Sequence, residues 1–399
     1  MTPLLLLPAY ALGALLLASA AVPPLRRLAL RAGLVDDPED ADYKTHHRAT
    51  PCGGGVAIWI GACVPLGAAA AWLAAARPDL IHDGVGWISP WAPYAFFPLE
   101  SWSPTVREVS QVLCLLGAAT AIMLLGLADD RRPLPPALRL GVQAALGAAL
   151  VLWVPGFRLA TPGGGALAVA LSILWIVALT NAFNFLDNMD GLAAGLAVLG
   201  LGACAALALA AGHLPMAAVC LASAGASGGF LVHNFPAATI FLGDAGGLLL
   251  GFLSGAVSVS LSSQLTGPAT GLSAVPLLLL PLLPFGLPAY DLVTVVWLRL
   301  RRGVAPWIGD NRHVSHRLVA AGFDRTRAVL VLHALTAAVA LPCAAAGGGG
   351  PAAAWWAVAG GTALLLLFGG AEIALAHGRR GRTPSAQHPH PQTNGRDHG

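Results

Sequence analysis

The chain has 399 residues, of which 56% are hydrophobic and 10% are charged, and its formal net charge is +3. Its mean hydropathy is +0.71. A water-soluble domain carries about a quarter charged residues. The composition therefore excludes an ordinary soluble protein and indicates a chain that crosses the membrane several times.

Apolar runs long enough to cross a bilayer recur along the whole chain. Arg26, Arg27 and Arg31 follow the first run and no positive charge precedes it, which is typical of a retained helix with its N-terminus outside. The predicted fold is an all-α polytopic membrane protein with about eleven transmembrane helices. The expected spans are 3–24, 53–76, 107–128, 137–155, 163–183, 191–212, 214–232, 241–262, 272–297, 327–345 and 352–376.

The basic residues are strongly biased to one side of this topology. With eleven spans, 19 of the 22 Lys and Arg residues fall in the loops 25–52, 129–139 and 298–327 and in the tail from 378. Because loops rich in Lys and Arg stay in the cytoplasm, we expect these loops and the C-terminus to be cytoplasmic. This predicts a multi-pass protein of the inner (cytoplasmic) membrane.

The ninth span contains four prolines, Pro276, Pro281, Pro284 and Pro288. Each proline removes a backbone donor, so this helix should break, and in lipid a break requires protein or water to satisfy the freed carbonyls. We therefore predict a broken ninth helix that bends around a cavity or groove.

The rest of the chain predicts one integral-membrane domain, 1–377, and a disordered cytoplasmic tail, 378–399. The tail is polar and rich in Pro and His. The outer loop 77–106 is too aromatic for a solvated linker, and we expect it to lie on the membrane surface.

Carboxylates interrupt the apolar chain at span ends on the predicted cytoplasmic side. Any one of them is explained by a structural role: Asp244 as the cap of the eighth helix, Asp190 as the cap of the sixth, or the pair Asp129–Asp130 as a balance for Arg131–Arg132. Taken together they favour function, because acids near a bilayer are rare and costly. We expect them to converge. They are Asp129, Asp130, Asp187, Asp190, Asp244 and Asp310.

Several carboxylates without a Cys or His ligand pattern favour a hard cation such as Mg²⁺, which completes its shell with water and substrate phosphates. Glycines around Asp190 and Asp244 are expected to let a ligand approach the backbone. Neighbouring loops rich in Arg and His indicate a diphosphate substrate, so the pattern predicts phosphoryl transfer. No Walker loop or kinase glycine-rich loop is present, which argues against a motor ATPase or protein kinase.

Five ordered blocks carry a family resemblance. They are LVDDPEDADYKTHHRATPCGGG, GLADDRRPLPPALRLGVQ, NAFNFLDNMDGLAAG, FLGDAGG and DNRHVSHRL. They resemble the polyprenyl-phosphate N-acetylhexosamine-1-phosphate transferases, the superfamily of MraY and WecA within glycosyltransferase family 4. The chain departs from the family pattern at Tyr43 (usually Arg), Asn188 (Gly), Gly247 (Ser) and Ser315 (His).

The resemblance implies transfer of an N-acetylhexosamine-1-phosphate from a UDP-sugar to undecaprenyl or another polyprenyl phosphate, with release of UMP. It implies a membrane-embedded enzyme for cell-envelope polysaccharide synthesis, dependent on Mg²⁺ or on Mn²⁺ in its place. The implied partners are the UDP-N-acetylhexosamine and the polyprenyl phosphate lipid. We expect no nucleic-acid partner, and a homodimer stays open.

The resemblance also implies roles for individual residues. Whether Asp129 and Asp130 bind the metal cluster or deprotonate the lipid phosphate stays open. The expected metal ligands are Asn184 and Asp244; the expected catalytic residues are Asp129, Asp130, Asp187, Asp190, His313 and His316; the expected substrate-binding residues are Lys44, His46, Asn181, Asn234, Arg312 and Arg317.

Three alternatives remain. The HVSHRL block and the spacing of the first block favour simple UDP-N-acetylhexosamines over UDP-N-acetylmuramoyl-pentapeptide as the substrate. An ion-coupled secondary transporter is disfavoured because the acids lie at span ends and no internal repeat is found. An inactive scaffold is disfavoured because every acidic position of the pattern is intact.

Overall fold

The computed structural model describes residues 7–36, 49–76, 104–161, 164–266 and 274–380. Within these ranges the chain forms thirteen α-helices and one two-stranded ribbon, which confirms the all-α prediction. The elements are α1 (Leu7–Arg31), β1 (Val35–Asp36), β2 (Thr50–Pro51), α2 (Gly54–Ala76), α3 (Pro104–Arg131), α4 (Pro136–Trp153), α5 (Gly165–Leu186), α6 (Leu192–Ala210), α7 (Leu214–Asn234), α8 (Gly243–Thr266), α9 (Val275–Leu279), α10 (Gly286–Leu300), α11 (Val314–Ala320), α12 (Arg325–Ala346) and α13 (Gly350–Arg380).

Eleven helical segments of the described chain are long and apolar enough to cross a membrane, which confirms the eleven predicted spans. The ninth is broken as predicted: the short helix α9 ends at Leu279, a turn follows, and a 3₁₀ segment (Leu283–Phe285) leads into α10. Pro281 in the turn and Pro284 in the 3₁₀ segment explain the break, because they lack the N–H that a continuous helix requires.

Helix α8 is the centre of the bundle. The apolar part of this helix is completely buried, and α2, α3, α5 and α6 pack around it. Small residues allow the close packing: a Cβ on Gly251 would lie 2.3 Å from the carbonyl oxygen of Leu179. A helix that is apolar on all sides belongs in such an interior position.

A backbone network joins the start of α2 to the start of α8. Strand β1 pairs with β2 in antiparallel register, with Val35 opposite Pro51. The carbonyl of Pro51 accepts the N–H of Phe241 at 2.9 Å, and the N–H of Gly55 donates to Leu242 at 3.0 Å. These bonds hold the chain segments before α2 and α8 at the same end of the bundle.

Two predicted segments fall largely outside the described residues. Of the loop 77–106 only the first turn of α3 is described, and the predicted tail begins within α13, which continues to Arg380. The predicted substrate residues Lys44 and His46 also lie outside the described residues. Disorder of the tail therefore stays a prediction.

Candidate active site

The end of α3 meets the start of α8 through Asp130. Its two carboxylate oxygens accept the backbone N–H groups of Asp244 at 2.7 Å and Ala245 at 3.1 Å. The first N–H groups of a helix have no partner within the helix, so Asp130 caps α8. The expectation that Asp244 caps its own helix is wrong: the left-handed φ of +72° at Gly243 presents these N–H groups to α3 instead.

Asp129 is held by α4. It is 5% exposed, and it accepts the Leu134 N–H at 2.6 Å and a hydrogen bond from the guanidinium of Arg139. The Nη1 atom of Arg139 also lies 3.5 Å from Oδ2 of Asp244. Arg139 rather than the adjacent Arg131 is thus the partner of Asp129, because a buried carboxylate requires a partner that packing brings into the interior.

Asp244 is the member of this group that a ligand can reach. Its side chain is 33% exposed, compared with 3% for Asp129. The Nδ2 group of Asn184 on α5 donates to Oδ1 of Asp244 at 2.7 Å. The close approach of α5 and α8 depends on Gly247, where a Cβ would lie 2.9 Å from the Cα of Asn184. This glycine and Gly243 therefore serve the packing of chain on chain, and the approach of a ligand to their backbone stays a prediction.

The donor set of this pair fits a hard cation. The hydrogen bond uses Nδ2 of Asn184 and Oδ1 of Asp244, so Oδ1 of Asn184 remains for a metal. Oδ2 of Asp244 lies 3.5 Å from Nη1 of Arg139 and, as a carboxylate oxygen, has a second lone pair for a cation. Among the described residues, no group of three or more His, Cys, Asp and Glu side chains is arranged to hold a metal ion. This agrees with a site of the Mg²⁺ type, in which one or two protein ligands are completed by water and phosphate.

Asp187 ends α5 beside this cluster. Burial, and then the negative charges of Asp130 and Asp190, raise the pKa of Asp187 to about 8, against the opposing effect of a hydrogen bond from the Gly243 N–H. Neighbouring acids and burial both disfavour the charged form of a carboxyl. The location suits contact with a cation or with a protonated group of a substrate.

Asp190 and Asn234 fix the turn that follows Asp187. Asp190 accepts the Ala238 N–H at 2.9 Å, so it does not cap α6, whose first turn begins at Gly191 without a side-chain cap. The Asn234 side chain accepts the Gly191 N–H at 2.7 Å and donates to the carbonyl of Ile240 at 2.9 Å. Both side chains thus bind backbone groups and fix the shape of the turn that borders the site.

Asn181 lies one turn before Asn184 on α5. Its Nδ2 group donates to Oε1 of Gln143 on α4 at 2.6 Å. Gln143 is 1% exposed and lies one turn after Arg139, so the two pairs connect the same faces of α4 and α5. The Nε2 atom of Gln143 is buried without a hydrogen-bond partner among the described residues.

A second centre is built around His313, at the start of α11. Its Nδ1 atom lies 2.7 Å from Oδ2 of Asp291 on α10, and Oδ1 of Asp291 accepts the Val314 N–H at 2.6 Å. The His313 ring stands edge-on to Phe185, two residues before Asp187, with ring centroids 5.9 Å apart. Ser315 donates a hydrogen bond of 2.6 Å to Asn188. The histidine segment is therefore attached to the acidic turn.

His316 follows one turn after His313, and their ring centroids are 6.5 Å apart. Burial, and then the charges of His313 and Arg325, lower the pKa of His316 to about 4. The substrate-free protein therefore carries a neutral imidazole here near pH 7. Contact between His316 and phosphate stays a prediction.

Buried ion pairs order the loop before α11. Arg299, which is 1% exposed, donates to Asp310 through Nη2 at 3.0 Å and to the carbonyl of Pro306 through Nη1 at 2.6 Å. Although partial burial opposes it, hydrogen bonding to Arg299 lowers the pKa of Asp310. Asp310 thus belongs to this loop and not to the acid cluster of α3 and α8, so the predicted convergence holds for the other acids only.

The two predicted arginines of this segment differ in their contacts. Arg312 has one buried guanidinium nitrogen, Nη1, without a hydrogen-bond partner among the described residues. Arg317 is engaged by Glu372 of α13, which also accepts the Tyr290 hydroxyl at 2.6 Å. Arg312 thus pairs with Asp310, whose Oδ2 lies 3.6 Å from its Nε, and keeps Nη1 for an anion, whereas the contacts of Arg317 favour a role in joining α10, α11 and α13.

Sequence reasoning missed four residues of these networks: Arg139 as a bridge between acids, Asp291, Arg299 and Glu372. Two of them carried a readable signal, since Asp291 and Glu372 are single acids within apolar spans. The signal of Arg139 and Arg299 was hidden, because basic residues at cytoplasmic span ends are expected for topology alone.

Residues 112–262 match the model of glycosyl transferase family 4, and this match covers the ends of α3, α5 and α8 that form the cluster. The chain belongs to this family.

The relatives of the chain indicate which branch of the family it resembles. The chain is 33% identical to decaprenyl-phosphate N-acetylglucosaminephosphotransferase of Mycolicibacterium smegmatis, over 80% of this chain and 77% of the relative. It is 29% identical to the probable undecaprenyl-phosphate N-acetylglucosaminyl 1-phosphate transferase of Bacillus subtilis, over 78% and 76%. It is 26% identical to the undecaprenyl-phosphate alpha-N-acetylglucosaminyl 1-phosphate transferase of Escherichia coli K12, over 79% and 76%. The resemblance to the WecA-like branch is confirmed.

Proposed function

We propose that the chain transfers N-acetylhexosamine-1-phosphate, most simply N-acetylglucosamine-1-phosphate, from its UDP derivative to a polyprenyl phosphate. An oxygen of the lipid phosphate forms a bond to the sugar-proximal phosphorus, the bond from this phosphorus to the bridging oxygen breaks, and UMP leaves. The product is a lipid-diphosphate sugar for cell-envelope polysaccharides. The observation that carries this proposal is the partly exposed Asp244–Asn184 pair at the end of the central helix, in a chain of this family.

The proposed cofactor is Mg²⁺, or Mn²⁺ in its place, held by Oδ1 of Asn184 and by the carboxylate of Asp244. When bound, the ion offsets the charge that develops on the transferring phosphoryl group. Arg139 lies beside Asp244 and supports the position of the pair, while Asp130 fixes the first turn of α8. Because the oxygens of Asp129 and Asp130 already accept hydrogen bonds from the chain, we propose positioning roles for both.

The proposed binding site for the nucleotide diphosphate lies between the acidic turn and the histidine segment. Arg312 carries an unpartnered buried nitrogen, and His313 and His316 are adjacent. Guanidinium groups bind phosphate oxygens with charge-assisted hydrogen bonds, so Arg312 is the proposed diphosphate ligand of this segment. Lys44 and His46 are proposed to add positive charge from the loop before α2.

We propose that this end of the bundle faces the cytoplasm, with the N-terminus outside. The bias of 19 basic residues to one set of loops supports this orientation. A water-soluble nucleotide sugar then reaches the site from the cytosol and the lipid phosphate reaches it from the bilayer. A homodimer remains compatible with this arrangement.

The test is an incubation of the purified full-length chain with undecaprenyl phosphate, divalent cation and single UDP-sugars, followed by mass analysis of the lipid. We expect a lipid-diphosphate N-acetylhexosamine and one UMP for each product formed. Conversion of UDP-N-acetylmuramoyl-pentapeptide with UDP-N-acetylglucosamine inert would contradict the choice of branch. Ion-coupled flux in proteoliposomes without UMP release would contradict the transferase.

A further inference from the structure

Asp291 is a fully buried acid inside a membrane-spanning helix, and the proposed chemistry has so far not used it. It is 0% exposed and lies nine residues before the end of α10, roughly 13 Å along the helix axis. A carboxylate at this depth is costly unless it is paired and hydrogen-bonded. Its retention calls for a specific partner.

The partner is the start of α11. Oδ2 of Asp291 lies 2.7 Å from Nδ1 of His313, and Oδ1 accepts the Val314 N–H at 2.6 Å. A carboxylate only accepts hydrogen bonds, so the proton is on Nδ1 and the other ring nitrogen, Nε2, is left for a ligand. The hydrogen bond from the Val314 N–H prevents the start of α11 from rotating about the hydrogen bond between His313 and Asp291.

His313 itself is directed toward the acidic turn. Its ring is 5% exposed and packs edge-on against Phe185 at a centroid distance of 5.9 Å. The guanidinium of Arg299 lies over the same Phe185 ring, with its Cζ atom 5.1 Å from the ring centroid. Phe185 immediately follows the proposed metal ligand Asn184, so a rotation of the His313 ring would be transmitted to the site.

We propose that Asp291 is a positioning residue for the transfer reaction: its carboxylate holds the Nδ1–H and the ring orientation of His313, so that Nε2, protonated when the anionic substrate binds, donates a hydrogen bond to the diphosphate. This inference rests on the proposed function. Asparagine at position 291 keeps the shape and can still accept the Val314 N–H, but its amide group no longer enforces the proton on Nδ1. A merely structural Asp291 would affect folding, whereas a positioning Asp291 acts only through His313.

The experiment is a double-mutant cycle on the purified full-length protein, with Asp291→Asn, His313→Gln and the double variant. We expect Asp291→Asn to lower kcat by about 10²-fold with a much smaller change in the KM for UDP-N-acetylglucosamine. In the His313→Gln background the same replacement should change kcat less than about twofold. Asp324→Asn, which alters an exposed cap of α12, is the matched control and should leave kcat unchanged.

Three outcomes overturn the proposal: wild-type kcat in Asp291→Asn, an undiminished effect in the His313→Gln background, or an equal loss in the Asp324→Asn control. If Asp291→Asn does not fold, the variant Asp291→Glu is used instead, because it keeps the carboxylate. Turnover of Asp291→Glu should fall when His313→Gln is added. Unchanged turnover would overturn the proposal. A wild-type protein that releases no UMP contradicts the proposed function itself, which separates the two failures.

Discussion

The hydroxyl of Ser315 donates a 2.6 Å hydrogen bond to Oδ1 of Asn188, and these are two of the positions at which the chain departs from its family pattern. The family usually has histidine at position 315 and glycine at position 188. A small residue on α11 is thus matched by a larger one on the acidic turn. The two departures meet in space and form a direct contact between the two segments.

This pairing predicts a coupled response to substitution. Ser315 is 0% exposed, so Ser315→His alone should overpack the contact and destabilise the protein by about 1–3 kcal/mol. Adding Asn188→Gly removes the side chain that obstructs the histidine and should restore much of the stability and turnover. Thermal unfolding in detergent measures the stability, and UMP release measures the turnover. Effects that simply add, within about 0.5 kcal/mol, would show that the two positions are independent.

The Asp244–Asn184 pair predicts a requirement for divalent cation. Asp244→Asn removes one anionic ligand but keeps an oxygen that can accept the Asn184 hydrogen bond, so the fold should persist. The lost stabilisation of phosphate charge is worth several kcal/mol, which lowers turnover by about 10²-fold or more. Turnover should also stop with a chelator and return with Mg²⁺. Turnover indifferent to the chelator would remove the metal from the mechanism.

The low pKa of His316 predicts a stability that falls in mild acid. The folded protein holds this pKa near 4, while the unfolded chain has the ordinary value of 6.5 and takes up the proton first as the pH falls. The stabilisation is therefore complete above pH 6.5 and is lost progressively between pH 6.5 and 4. We expect about 1–2 kcal/mol, since the ring is only partly buried. Between pH 7.5 and pH 4.5, the melting temperature should fall less steeply in His316→Gln than in the wild-type protein, as measured at pH 4.5, 5.5 and 7.5. An unchanged slope would refute the assignment of this pH dependence to His316.

The crossing of α1 and α7 predicts opposite effects at adjacent glycines. A Cβ on Gly229 would lie 2.2 Å from the carbonyl oxygen of Leu15, whereas the nearest atom to a Cβ on Gly228 is 3.8 Å away. Gly229→Ala should push the helices apart and lower the free energy of unfolding by about 1–3 kcal/mol. Gly228→Ala should be neutral or stabilising, by up to about 1 kcal/mol from helix propensity. Equal melting temperatures for the two variants would contradict the close crossing.

The architecture of the membrane domain was readable from the sequence because its causes are local. Apolar runs determine the spans, and clustered prolines determine the break between α9 and α10. The count of spans then placed the acids at one end of the bundle, where the structure joins Asp130 to Asp244. The motif spacing in the acidic turn and the histidine segment was sufficient to indicate the family.

The partners of each charge were decided only by the tertiary structure. Asp130 caps a helix that begins more than a hundred residues later, as the separation of 114 residues to Asp244 shows, and Arg317 reaches Glu372 across 55 residues. Such pairings depend on how each helix is rotated about its axis, and hydropathy carries little information about rotation in a helix that is apolar all round. For the same reason the sequence indicated that His313 belongs to a site, but only the packing of α10 against α11 brought Asp291 to its ring.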